Sequence, residues 1–254
     1  MAQTIWKGVI RCDELRLPVR LYSAVQDRSI RFNLLHDRDR VRLKQRMVNP
    51  LTGKAVEHEA KRGYEVQHGL FVVLNDEELA SAEPPASRDI EVLCFVKPEA
   101  VEEQWYDRPY FLGPDGDEAS YFALVSALRR EGLEGIMRWV MRRREYLGAL
   151  REQDGYLALI TLRHAGEVIS TSELDAPEGR AFSAKELSMA RQLVQALDGP
   201  FDPAEYHDEH RERVMGLVAA KARGESLQVE QPPPPKVAEE SLEKVLQASL
   251  AAVH

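Results

Sequence analysis

The sequence predicts a mainly β protein with added α-helices, built as a barrel or a sandwich. Three observations carry this. Short apolar runs with a period of two recur along the first two-thirds of the chain. Turn-forming residues separate them. The last third then switches to helical spacing with recognisable caps. Many short strands between turns fit a closed or layered β architecture.

Leu15, Leu17, Val19 and Leu21 alternate with Arg16, Pro18 and Arg20, which predicts a half-buried strand. Pro18 places that strand near an edge. Val41, Leu43 and Met47 alternate with Arg42, Lys44 and Arg46, a second strand with a cationic face. Asn49 to Lys54 is a turn, with Ala55-Val56-Glu57-His58 as the returning partner. Further strands are expected at Leu70–Leu74, Ile90–Val96, Tyr110–Leu112, Ile136–Met141, Tyr146–Leu150 and Tyr156–Leu162. One helix interrupts them: Asp117 to Arg130 has Tyr121, Leu124, Val125 and Leu128 at helical spacing, with Gly132 as a stop.

Ser183-Ala184-Lys185-Glu186 is a capping box that starts a helix closed by Gly199-Pro200. Asp202-Pro203 is expected to open another, running to about Arg223 and roughly 30 Å long. Pro232 to Pro235 stiffen a linker over residues 225–236. In the tail, residues 237–254, the apolar positions Leu242, Val245, Leu246, Leu250 and Val253 share one helical face.

A length of 254 residues allows one large or two small domains. With 44% hydrophobic and 30% charged residues the chain fits a globular protein in water. No apolar run reaches the roughly 18 residues of a membrane span. Charges at Lys7, Arg11, Asp13 and Glu14 rule against a secretory signal at the N-terminus. Cys12 and Cys94 are expected as buried, reduced thiols of a cytosolic protein.

Charge is segregated. The chain carries a formal charge of −8, yet Arg28, Arg31, Arg38, Arg40, Arg42, Lys44 and Arg46 crowd one segment against only Asp37 and Asp39. Lys54, Lys61 and Arg62 extend it. From Asp76 to Glu118 the sign reverses. One cationic strip on an acidic body points to an anionic partner held in one place. On a strand, Arg42, Lys44 and Arg46 would be about 6.6 Å apart on one face. DNA phosphates advance about 3.4 Å per nucleotide, so such a row matches alternate phosphates without reading a base. The bland alternative is a solvated face. Lys7, Arg138, Arg142 and Arg143 are weaker candidates for the same contact.

No Gly-x-Ser-x-Gly, Walker loop or dinucleotide fingerprint is present, and no catalytic residue or cofactor is expected. His207, Asp208 and His210 are an imaginable metal cluster, with the two histidines at i,i+3 spacing on a helix, and His36-Asp37 is a weaker one. The first supports an alternative reading as a metal-dependent phosphodiesterase or nuclease. A third reading is a scaffold whose basic strip binds an acidic protein.

The segments Ile5-Trp6-Lys7-Gly8-Val9-Ile10 and Leu17-Pro18-Val19-Arg20-Leu21-Tyr22 resemble the opening of prokaryotic Ku proteins. The likeness continues through Ile30-Arg31-Phe32, Gly63-Tyr64-Glu65, Arg108-Pro109-Tyr110-Phe111-Leu112, Arg144-Glu145-Tyr146-Leu147 and Phe201-Asp202-Pro203. It spans roughly residues 3 to 223. The resemblance implies a β-barrel core over 1–180, with a strand-rich bridge at about 30–69 that passes over DNA, and a helical C-terminal arm over 181–224. It implies a homodimer that rings double-stranded DNA ends in bacterial non-homologous end joining and recruits an ATP-dependent ligase, hence a nucleoid-associated cytoplasmic protein. Some relatives end in a lysine-rich tail. This chain ends instead in its proline linker and the 237–254 stretch.

Overall fold

In a computed structural model, the described residues are 3–56, 60–175, 179, 181–224 and 242–252. They form two compact units: residues 1–28 with 32–173, and residues 29–31 with 174–254.

The first unit is a closed barrel of seven strands. β1 (Thr4–Cys12) and β2 (Leu15–Ser23) form a hairpin. A two-stranded ribbon, β3 (Arg62–Gln67) with β4 (Leu70–Leu74), stands outside the barrel. A short helix α1 (Asp76–Ser81) follows, then β5 (Asp89–Val96), β6 (Tyr106–Pro114), α2 (Glu118–Glu131), β7 (Glu134–Met141), β8 (Arg144–Gln153) and β9 (Tyr156–Leu162). The barrel order is β1-β2-β6-β9-β8-β7-β5. Every neighbour is antiparallel except β1 and β5, whose parallel pairing closes the barrel at Val9↔Asp89, Ile10↔Ile90 and Arg11↔Glu91.

The period-two residues meet inside. Ile10, Leu17, Leu21, Ile90, Met137, Leu150, Leu157 and Leu159 are fully buried. α2 closes one end. Its cap is Asp117, whose carboxylate accepts from Ser120 N, and it ends at Gly132 in the left-handed region. Tyr121, fully buried on α2, donates its hydroxyl to Leu112 O at 2.5 Å and accepts from Leu157 N at 2.8 Å. It thereby satisfies a carbonyl of β6 and an amide of β9 that the ladder leaves over. Burial pushes the Tyr121 hydroxyl pKa up. Glu134 is also buried. It accepts from Tyr106 OH at 2.8 Å and lies 3.2 Å from Arg151, whose guanidinium sits 4.7 Å over the Tyr106 ring. Burial and this carboxylate push Tyr106 up to about 12.

The second unit contains α3 (Ala184–Ala196), α4 (Glu209–Ala222) and α5 (Leu242–Ala252). The capping box of α3 forms as expected: Ser183 Oγ accepts from Glu186 N at 3.2 Å, and Glu186 Oε2 accepts from Ser183 N at 2.8 Å. α5 packs on α3, with an ion pair between Lys185 and Glu243.

Several expectations are corrected. Pro18 is not on a sheet edge, because β2 lies between β1 and β6. The β2–β6 ladder starts at Val19↔Pro114, and Pro18 O accepts from Asp115 N at 3.1 Å where β6 ends. A residue's N–H and C=O point to the same side of a strand, so the missing donor of Pro18 faces the end of the ladder. The segment 41–47 is not a regular strand; it carries only the isolated bridge Leu35↔Arg42, and a second, Val48↔Ala55, follows it. Cys94 is exposed, because a bulge between Val92 and Cys94 shifts the alternation of β5. The expected long helix from Asp202 is shorter. Asp202 caps only a 3-10 turn at Pro203–Glu205, and Asp208 caps α4. At 14 residues, α4 is about 21 Å long.

Candidate nucleic-acid interface

Between β2 and β3 the chain leaves the barrel as an arm. Two tight turns shape it. In the first, Leu43 N donates to Leu34 O at 2.9 Å, His36 N to Val41 O at 2.9 Å and Arg40 N to His36 O at 2.9 Å. Arg40 sits at φ 59 to close it. Asp39 is spent on the turn: its Oδ1 accepts from Val41 N at 3.1 Å and lies 2.8 Å from His36 Nδ1. Asp37 lies 3.7 Å from Arg40. The two carboxylates of the cationic segment are therefore engaged locally.

The second turn is the one expected at Asn49. Val56 N donates to Met47 O at 2.8 Å, Asn49 N to Lys54 O at 2.9 Å and Gly53 N to Asn49 O at 2.8 Å. The Asn49 side chain accepts from Leu51 N and Thr52 N, the usual local bonding of asparagine at a turn. Ala55 and Val56 return as expected; Glu57 and His58 lie outside the described residues.

This geometry leaves a set of unopposed cations. Arg38, Arg42, Lys44, Arg46, Lys54, Lys61 and Arg62 are all exposed, and none makes an ion pair among the described residues. Arg42, Lys44 and Arg46 do not form one strand face, because the backbone that carries them is irregular. Arg28 and Arg31 differ: both have interactions within the protein, and Arg31 belongs to the second unit.

The weaker candidates are mostly neutralised. Lys7 lies 2.9 Å from Asp115, Arg138 2.7 Å from Glu91 and Arg143 3.5 Å from Glu83. The hydrogen bonds of Lys7 and Arg20, with their charges, hold Asp115 below the usual carboxylate range. Arg142 has no ion pair among the described residues.

The arm is also apolar, which the charge pattern hid. Phe32, Met47 and Leu51 are 74%, 69% and 94% exposed. All residues of β3 and β4 are exposed, including Tyr64, Phe71, Val72 and Val73. A two-stranded ribbon wet on both faces is marginal by itself. Exposed apolar side chains in this number suit an interface. Tyrosine and phenylalanine near a cationic strip were the available signal.

In the tail, Leu246 and Leu250 are half-buried, whereas Leu242 and Val245 are 39% and 44% exposed. The imagined metal cluster does not assemble. His207 precedes α4, so it is not a helical i,i+3 neighbour of His210, and Asp208 Oδ1 accepts from Arg211 N at 2.9 Å. Among the described residues no group of three or more His, Cys, Asp or Glu is placed to hold a metal ion. No helix of the described residues is long and apolar enough to cross a membrane.

Comparison with known proteins bears on the barrel and on the whole chain. Residues 11–189 match the family described as Ku70/Ku80 beta-barrel domain. The chain is 40% identical to non-homologous end joining protein Ku 2 of Geotalea uraniireducens (strain Rf4), over 90% of each chain. It is 38% identical to the protein of that name, Ku, from Anaeromyxobacter sp. (strain K), over 99% of this chain and 86% of the relative. The Pseudomonas aeruginosa protein Ku is 34% identical over 87% of this chain and 78% of its own.

Proposed function

Since this chain belongs to the Ku family of non-homologous end joining proteins, we propose that two copies close a ring around double-stranded DNA ends, without regard to sequence, and recruit an ATP-dependent DNA ligase. The observation that carries the reading is the arm, which displays seven exposed cations without an ion pair among the described residues, together with exposed apolar side chains.

The two halves of that surface suit two partners. The cations suit phosphates, which supply affinity but no sequence information. An end-binder must accept any sequence, so contacts to base edges would be a handicap. The apolar residues of the arm and of the β3–β4 ribbon suit a second copy, since an isologous pairing would bury the same patch on both chains. Selectivity for ends then follows from topology: a closed ring threads only where a duplex stops. The acidic run from Asp76 to Glu118 would discourage other orientations on DNA.

In this reading the protein is a scaffold in the bacterial nucleoid and performs no chemistry itself. The exposed Leu242 and Val245 of α5 are the docking candidates for the ligase, with Leu246 and Leu250 supporting the helix from its half-buried side.

A gel shift with linear and covalently closed circular duplex of equal length, paired with the solution mass of the free protein, tests the reading. A dimer that shifts the linear form alone is expected. A monomer, or equal shifts of the two forms, would refute it.

A further inference from the structure

A groove of about 750 Å³ opens at the mouth of the barrel, between Trp6, the Glu83–Arg88 segment and the turn between β7 and β8. Register builds it. β1 meets β5 at Val9↔Asp89, and β5 meets β7 at Ile90↔Trp139. Arg88, just before β5, therefore lies beside both Gly8 and the end of β7. Val9 N donates to Arg88 O at 2.8 Å and fixes that corner.

The Trp6 indole forms one wall. It lies over Gly8, where an added Cβ would fall 2.3 Å from the ring. No side chain other than hydrogen fits there, so the glycine sets the place of the ring. Opposite are Arg142 and Arg143, at φ 52 and φ 65. A two-residue turn with both residues in the left-handed region favours Asn-Gly. Arginine at both positions carries backbone strain, and such strain collects at functional sites.

The adjoining groove provides the contrast. It shares Ser87 and Val140, but its arginines are matched: Arg11 to Asp89 and Arg138 to Glu91, each at 2.7 Å. In the Trp6 groove, Arg88 and Arg142 have no ion pair among the described residues, and Arg143 has only the 3.5 Å contact with Glu83. An aromatic ring beside Arg88 and Arg142, which have no ion pair among the described residues, is the chemistry of single-strand recognition. Bases stack on the ring, and guanidinium groups hold the phosphates.

We propose that this groove binds an unpaired nucleic-acid strand, with a base on Trp6 and phosphates on Arg88, Arg142 and Arg143, so that it engages the overhang of a DNA end. The overhang role rests on the end-binding reading above; the strand-binding chemistry does not.

The test uses the full chain and fluorescence anisotropy on three labelled probes: a blunt duplex, the same duplex with an oligothymidine overhang, and free oligothymidine. The variants are Arg88→Ala and the double substitution Arg142→Asn with Arg143→Gly, which relieves the turn and so keeps the fold. Wild type is expected to bind the overhang about tenfold more tightly than the blunt end. Arg88→Ala should lose that difference, and its affinity for oligothymidine, while keeping blunt-end affinity; the double variant, whose arginines are also candidates for duplex contact, should lose oligothymidine affinity and more affinity on the overhang than on the blunt end. Equal loss on blunt and overhang probes would make the groove a duplex contact and overturn the proposal. So would wild-type binding that ignores the overhang, or variants that behave as wild type. Failure of wild type to bind the blunt duplex would count against the end-binding reading alone. The oligothymidine probe would then decide the groove.

Discussion

Replacing Arg42, Lys44 and Arg46 by alanine isolates the electrostatic half of the account. All three are exposed and lack ion pairs among the described residues, so their loss should leave the unfolding transition unchanged. Each phosphate contact contributes about 0.9 to the slope of log affinity against log salt, so three contacts in one protomer contribute about 2.7. Between 50 and 200 mM salt that slope corresponds to about a 40-fold change in affinity. Two protomers engaged together double the slope to about 5.4. These are upper limits, because the irregular backbone at 41–47 does not place the three side chains on one face. Titrating a labelled duplex at several salt concentrations measures the slope directly. The triple variant should show a shallower slope, by one unit or more, and equal loss on unrelated sequences. An unchanged slope would mean that the row faces only solvent.

Other outcomes follow from the same geometry. Tyr121→Phe leaves Leu112 O and Leu157 N without their partner inside the barrel; chemical denaturation should show a loss of about 1–3 kcal/mol. Tyr106 titrates near 12 when folded against about 10 unfolded, so its contribution is complete below pH 10 and is lost as pH rises through 12. Stability measured by chemical denaturation between pH 9 and 12 should therefore fall more steeply in wild type than in Tyr106→Phe, and parallel curves would refute the assignment. Arg142→Asn with Arg143→Gly should raise stability by about 1 kcal/mol, read by thermal melting. Deleting residues 237–254 should leave duplex binding intact and weaken capture of the ligase; undiminished capture would remove the tail from that role.

The sequence was informative wherever the physics is local. The Ser183–Glu186 box and the Asp117 cap act within four residues, and β2 buries its alternating Leu17, Val19 and Leu21. Local rules also misled. Asp202 and Asp208 both cap well, and sequence alone did not indicate which one begins α4. The alternation at 41–47 looks like a strand but joins no sheet among the described residues. α1 went unrecognised although Asn75 and Glu78 form a capping box, because six residues are too few to show an apolar period.

The sites were harder to read than the fold. The cationic strip is visible as composition, because it is contiguous. Its apolar companion surface is not, since exposure of Phe32, Leu51 and Phe71 contradicts their hydropathy and depends on the arm standing off the barrel. The Trp6 groove is wholly non-local: a parallel pairing and an antiparallel one bring residues 6, 88 and 142, far apart in sequence, together at three neighbouring strands of the barrel.

Encirclement is most directly tested by retention. The protein is loaded on a linear duplex, both ends are then blocked with a bulky protein, and the dissociation rate is compared with that from open ends under the same salt. A ring predicts a much longer residence on the blocked duplex, because the only exit is past the ends. Equal dissociation rates would contradict it.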